Sequence, residues 1–180
     1  VEVQLAVENR ATIVGRLDKG LDDLTVMMIP PDDQRLRVLP FVENPLVVIA
    51  ARGHRLEGRA ITLADLAEER WLLREQGSGG RQIVEAHFAR EGFSPRIAMA
   101  LGSNEAIKQA VAGGLGITAL SRHALGPDPA LVGLAELRVA GFPLPGRFSF
   151  VMREGRRLSP AAEAFLAFAR EQLQATATRG

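Results

Sequence analysis

Cysteine is absent from the sequence, which excludes disulfides and thiolate metal sites and allows a reducing compartment without requiring one. Lysine is scarce: Lys19 and Lys108 are the two in the chain, so the basic charge rests almost wholly on arginine. A surplus of one sign is lacking too. The 22 basic residues stand against 21 acidic ones, for a net charge of +1, and this excludes the one-sided field of an autonomous nucleic-acid binder. Long apolar runs are missing. Those at Leu24 to Ile29 and Leu46 to Ala51 fall far short of the roughly 20 residues that span a bilayer, and no membrane contact is expected. Val1-Glu2-Val3-Gln4-Leu5 lacks the basic-then-apolar build of a signal peptide, and the expected location is cytoplasmic. Histidines and carboxylates nowhere fall at metal-ligand spacing, and no metal or cofactor is expected. No repeat of fixed period and no low-complexity tract interrupts the chain.

What is present is a globular α/β pattern in 180 residues that are 47% hydrophobic, enough for one sizeable core or two small lobes. Val1, Val3, Leu5 and Val7 alternate as in a strand, and a chain starting inside a strand points to an N-terminal truncation. Asn9 is a good cap for a helix with Ile13, Val14, Leu17 and Leu21 inward, closed by Gly20. Leu24 to Ile29 then reads as a strand buried on both faces, completing a parallel βαβ unit. Strands are expected at 36–39 and 46–50, and Thr62 with Asp65 forms a capping box. From Trp71 onward the pattern is strand, helix, strand, helix, strand, ending at Leu120, in a second small sheet. Short strands follow at 134–139 and 148–152. Ser159 and Pro160 open the last helix, with Ala162, Phe165, Leu166, Ala169 and Leu173 inward.

The chemistry concentrates in Arg74-Glu75-Gln76-Gly77-Ser78-Gly79-Gly80-Arg81, a glycine turn between the strand Trp71 to Leu73 and a helix. Such a turn aims the unpaired first-turn N–H groups of the helix at an anion, while Ser78 adds a hydroxyl and Arg81 a charge. A flexible Gly/Ser linker between lobes is the other reading of the same residues. Ser103-Asn104 follows a strand in the same way, so in a parallel sheet both helix starts share the carboxyl edge, where open α/β sheets bind ligands. Catalytic templates fail: Ser78 lacks the Gly-x-Ser-x-Gly frame, and nothing joins His54, His87 or His123 into a triad. Gly114-Leu115-Gly116-Ile117-Thr118-Ala119 spells a dinucleotide motif but lies between helix and strand, the wrong order for one.

Asp23-Leu24-Thr25-Val26, the strand Pro45 to Ala50 with Gly53-His54-Arg55-Leu56 after it, and Ser103 to Gly116 resemble the effector-binding domain of LysR-type transcriptional regulators. Within that family, Arg74 to Gly79 and Ser103 to Val111 look most like the CbbR regulators of Calvin-cycle operons. The resemblance implies two Rossmann-like lobes joined by crossover strands, of the type 2 periplasmic-binding-protein-like kind, with a small effector in the cleft. Lobe one would comprise residues 1–73 and 148–180, and lobe two residues 74–147. Effector contacts map onto Asn9, onto Gln76, Gly77, Ser78, Gly79, Gly80 and Arg81, and onto Ser103 and Asn104. The first strand and helix of lobe one would precede Val1 and be missing, as would the DNA-binding helix-turn-helix. The implied partners are a small anionic metabolite, such as a phosphorylated sugar or reduced nicotinamide nucleotide, and further copies in a homodimer or tetramer. DNA would be bound only through the helix-turn-helix. A transport-type solute-binding protein and a small α/β enzyme using Ser78 or a histidine remain alternative readings.

Overall fold

The computed structural model describes the backbone of residues 3–177 and the side chains of residues 3–172. Val1 in the expected first strand and Leu173 on the expected inner face of the last helix lie outside these. The chain divides into two compact units, one of residues 1–43 with 147–180 and one of residues 44–146.

In the first unit, the Asn9 carboxamide accepts the Thr12 amide at 3.0 Å and so starts α1 (Arg10–Asp18). Residues 3–9 form no strand, against the expectation from their alternation, and Val3, Leu5 and Val7 are 83%, 86% and 84% exposed. Alternation specifies which face a strand would bury, but a strand exists only where a neighbour takes its hydrogen bonds. The expected parallel βαβ unit is therefore not formed. β1 (Thr25–Met27) runs antiparallel to β9 (Arg147–Arg153), which also pairs with β2 (Leu36–Glu43) on its other side. β1 is also shorter than the run suggested, and Val26 faces outward.

Successive residues of β9 point to opposite faces of this sheet. Val151 joins Leu17 of α1 and Met27, while Phe150 and Met152 meet Leu166 of α4 (Pro160–Ala177). Ser159 caps α4, its hydroxyl accepting the Ala162 amide at 3.3 Å. Phe165, expected inward, is 53% exposed and touches Phe150 only edge-on, at 6.1 Å between centroids. Leu21, expected on the inner face of α1, lies beyond the helix end and is exposed as well.

The second unit is built on β3 (Leu46–Ala51), a fully apolar strand held antiparallel on both sides by β7 (Thr118–Ser121) and β8 (Leu134–Val139). β8 carries the two-residue β4 (Ala60–Ile61) at its far edge. β3, β4 and β5 (Arg70–Arg74) lie in the second unit, residues 44–146, whereas the expected lobe boundary between residues 73 and 74 puts β3, β4 and all of β5 but Arg74 in the first lobe. The reason is long-range: β3 takes its partners from residues 118–137, which its own sequence does not announce.

From β5 the strand-helix-strand-helix-strand order is as read. α2 (Gly79–Arg90) leads to β6 (Arg96–Leu101), parallel to β5, and α3 (Asn104–Ala112) leads back to Ile117, which bridges to Trp71 in parallel. Trp71 is fully buried, with Phe88 of α2 edge-on at 4.8 Å and Phe93 at 6.0 Å. On the other face Leu72, Ile107, Val111, Leu120 and Ile49 form one cluster. Each such side chain contributes about 1.5–3 kcal/mol of burial, which fixes both helices against the strand pair.

Candidate functional site

Because β5 and β6 are parallel, paired from Arg70 with Arg96 to Arg74 with Leu101 across one register shift between Trp71 and Leu72, their carboxyl ends lie together, and each strand leads through a short turn into a helix. The Glu75 amide still bonds the Leu101 carbonyl at 3.1 Å, so the two turns leave the sheet side by side. Between strand and helix, the Ser78 amide closes on the Glu75 carbonyl at 3.2 Å. Gly77 sits at φ 87° in this turn, a left-handed conformation in which a side chain would be strained.

The three helix starts that hold expected site residues differ in one respect. Asn9 caps α1 through its side chain, and the Ser103 hydroxyl caps α3 by accepting the Ala106 amide at 3.1 Å. Ser78 occupies the same position before α2, and its side chain makes no capping bond although the residue is only 4% exposed. The first turn of α2, Gly79-Gly80-Arg81, thus keeps its N–H groups free of a side-chain acceptor, at the positive end of the helix dipole.

Arg74, the last residue of β5, connects the two turns. One guanidinium nitrogen donates to the Asn104 side-chain oxygen at 2.7 Å and another reaches the Gly102 carbonyl at 3.5 Å, while Glu75 receives the remaining donors at 2.8 and 3.1 Å. Site mapping by motif passed over this residue. Its signal, a basic residue at the carboxyl end of a strand that opens a glycine turn, becomes legible only once β6 is known to lie alongside. Arg81 is placed differently from a ligand-facing charge. It is buried along α2, donating to Glu85 at 2.7 Å and to the Arg74 carbonyl at 2.8 Å, so it holds the strand end to the helix.

Gln76 is exposed at the tip of the turn, and Gly79 and Gly80 form the start of α2. On α3 the Glu105 carboxyl is held below the usual carboxylate range by hydrogen bonds from Lys108 and Gln109, so it stays ionised at the helix start. Gln76 to Arg81, Ser103 and Asn104 therefore gather at one edge of the second unit, while Asn9 belongs to the first unit. A cavity of about 550 Å³ in the second unit, lined by Val47, Ile61, Leu137 and Phe142, involves none of these residues. It runs along β4 and β8, where Thr62, Glu136 and Arg138 line it beside the apolar side chains. Among the described residues no group of three or more histidines and carboxylates could hold a metal ion, and no helix is long and apolar enough to cross a membrane.

Residues 1–174 match the family described as LysR substrate binding domain. A RuBisCO operon transcriptional regulator of Allochromatium vinosum is 44% identical over 169 residues, covering 93% of this chain and 56% of that protein. The HTH-type transcriptional activator CmpR of Synechocystis is 41% identical over 167 residues, covering 92% of this chain and 55% of that protein. Among solved structures, the regulatory domain of CcmR from Synechocystis, in complex with 2-PG, matches with a TM-score of 0.91 at 40% identity, over 96% of this chain and 83% of that one. The chain spans about half the length of the curated relatives it matches.

Proposed function

The chain belongs to the LysR substrate binding domain family, and on that premise we propose that it is the effector-sensing part of a cytoplasmic transcriptional regulator that takes a small anion at the carboxyl ends of β5 and β6. Its α/β fold is the type 2 periplasmic-binding-protein-like fold of that family. The observation that carries the site is the uncapped α2 start: a buried Ser78 hydroxyl that does not cap its helix, beside the Arg74 guanidinium that reaches Asn104.

Free first-turn amides contribute about 0.3–1 kcal/mol to a nearby anion, up to about 2 when partly buried, and charge-assisted hydrogen bonds from arginine about 1.5–3 kcal/mol. The combination favours an anion with several acceptor oxygens, such as a phosphorylated metabolite. Arg74 contacts both turns, so a ligand drawing its donors away from Asn104 or Glu75 changes how α2 and α3 are tied. In the whole protein, DNA binding is assigned to a helix-turn-helix outside these residues, and homo-oligomers to the assembled regulator. The effector acts only through its differential affinity for two states, and moving 1:99 to 99:1 needs roughly 5.5 kcal/mol.

The test is calorimetric titration of 2-PG, the ligand of the CcmR relative, into the chain and its Arg74→Gln variant. Saturable heat, weakened about tenfold or more by the substitution, is expected. Binding unchanged in both Arg74→Gln and Ser78→Ala would overturn the site. No heat with 2-PG, phosphorylated sugars or reduced nicotinamide nucleotides would overturn the effector class.

A further inference from the structure

We propose that the opposite, amino-terminal edge of the same strand pair holds a second and separate site for a small oxyanion, between Arg70 and Arg96. Arg70 begins β5 and Arg96 begins β6, and the two are register partners in the parallel pair. Neighbouring strands lie about 4.8 Å apart, so the two side chains leave the sheet side by side, roughly 13 Å along the strand from Arg74. A cavity of about 240 Å³ opens where they emerge, lined also by His54, Glu68, Glu69 and Gly116.

The lining holds two arginines and two carboxylates, and Arg55 beside Glu69 tips the balance to one positive charge. Glu69 is already engaged, with the Arg55 guanidinium at 2.6 Å and the His54 ring at 3.5 Å. Glu68 is exposed at the rim. Arg70 has one long hydrogen bond, to the Gly114 carbonyl at 3.4 Å, and among the described residues no carboxylate lies within ion-pair distance of Arg70 or Arg96. Like charges directly opposite one another on neighbouring strands repel. An oxyanion between them removes that repulsion and satisfies two guanidinium forks at once, which is the geometry in which arginine binds phosphate or carboxylate best. The glycine at 116 keeps the wall low: it passes so close to the Arg70 carbonyl that a side chain there would strike the backbone. The space holds an ion of phosphate size with several waters, each taking about 30 Å³ in the liquid.

The site differs from the effector edge in every residue, so the two readings fail separately. The test follows the arginine Nε–Hε resonances of the chain during titration with inorganic phosphate, at ionic strength held constant with sodium chloride. Saturable shifts of Arg70 and Arg96 are expected, with a dissociation constant raised about tenfold or more in Arg96→Gln and unchanged in Arg74→Gln. A phosphate monoester in place of phosphate, giving tighter shifts at the same two arginines, would assign the natural ligand to organic phosphates. Shifts that match those produced by chloride alone, that persist undiminished in both Arg70→Gln and Arg96→Gln, or that vanish in Arg74→Gln would overturn the second site. Both arginines are exposed, so their replacement leaves the fold intact and the comparison interpretable.

Discussion

Replacing Gly116 with alanine is the sharpest perturbation of the strand arrangement that builds the site. A Cβ at this position would lie 2.3 Å from the Arg70 carbonyl oxygen and 3.1 Å from its carbon, both backbone atoms that no rotamer change can move. An ordinary carbon–oxygen contact is about 3.3 Å, so residue 116 must retreat by about 1 Å from β5. Its neighbour Ile117 makes two 2.8 Å hydrogen bonds to β5, donating to the Arg70 carbonyl and accepting from the Leu72 amide. A retreat of that size takes both beyond bonding distance. Two lost bonds cost about 0.5–1.5 kcal/mol each, and more where the groups stay buried, while overpacking adds about 1–3 kcal/mol. The stiffer unfolded chain returns about 0.4–1 kcal/mol. The expected net destabilisation is therefore about 1–5.6 kcal/mol, or a fall in Tm of about 2–22 °C for a chain of this size. Urea and thermal unfolding monitored by circular dichroism measure it. Gly102→Ala is the control, since a Cβ there meets nothing within 4 Å. If Gly116→Ala unfolds together with that control, the close approach of residue 116 to β5 is not what holds this strand in place.

Ser78→Ala removes a buried hydroxyl that caps nothing, so stability should change by less than the ~1 kcal/mol of an ordinary cap while 2-PG binding weakens; calorimetry beside urea unfolding separates the two. Gly15 lies inside α1 with nothing near a prospective Cβ, and Gly15→Ala should stabilise the chain by about 0.5–1 kcal/mol in the same unfolding assay. His87 should make stability depend on pH. Burial and Arg90 push its pKa below the usual histidine value, with Glu91 opposing, and its Nδ1 accepts from Arg90 at 2.7 Å. With the folded pKa below the unfolded one, its contribution is complete above about pH 6.5 and is lost as pH falls toward the folded value. His87→Gln should flatten the slope of unfolding free energy below about pH 6.5, and an unchanged slope would assign that dependence to other groups.

Local chemistry made several features legible in advance. Asn9, Ser159 and one of Ser103 and Asn104 were readable as caps because a cap needs only an acceptor three residues before a free amide; Asn9, Ser103 and Ser159 accept. The strand-helix order from Trp71 to Leu120 was readable because apolar periodicity changes between 2 and 3.6 along it. Non-local pairing was not. The alternation at Val3, Leu5 and Val7 is as regular as that of any real strand here, yet these residues have no ladder and stay exposed. β3 fell within the expected first lobe, residues 1–73, whereas its partners, about 70 to 90 residues onward, lie with it in the second unit.

The candidate site divides along the same line. The sequence by itself determined that Gly77 to Gly80 turns tightly into a helix after a strand, and that Ser103 starts another, because glycine torsions and caps act within a few residues. Tertiary structure alone decided that β6 lies parallel beside β5 and that Arg74 therefore reaches Asn104 across thirty positions. It also sent Arg81 back onto Glu85 and the Arg74 carbonyl, and lined up Arg70 with Arg96 at the far edge. A residue's type fixes what it can donate or accept. Which groups stand opposite it depends on how the strands pair, and that is settled by burial of Trp71, Leu72 and Ile107 rather than by any motif.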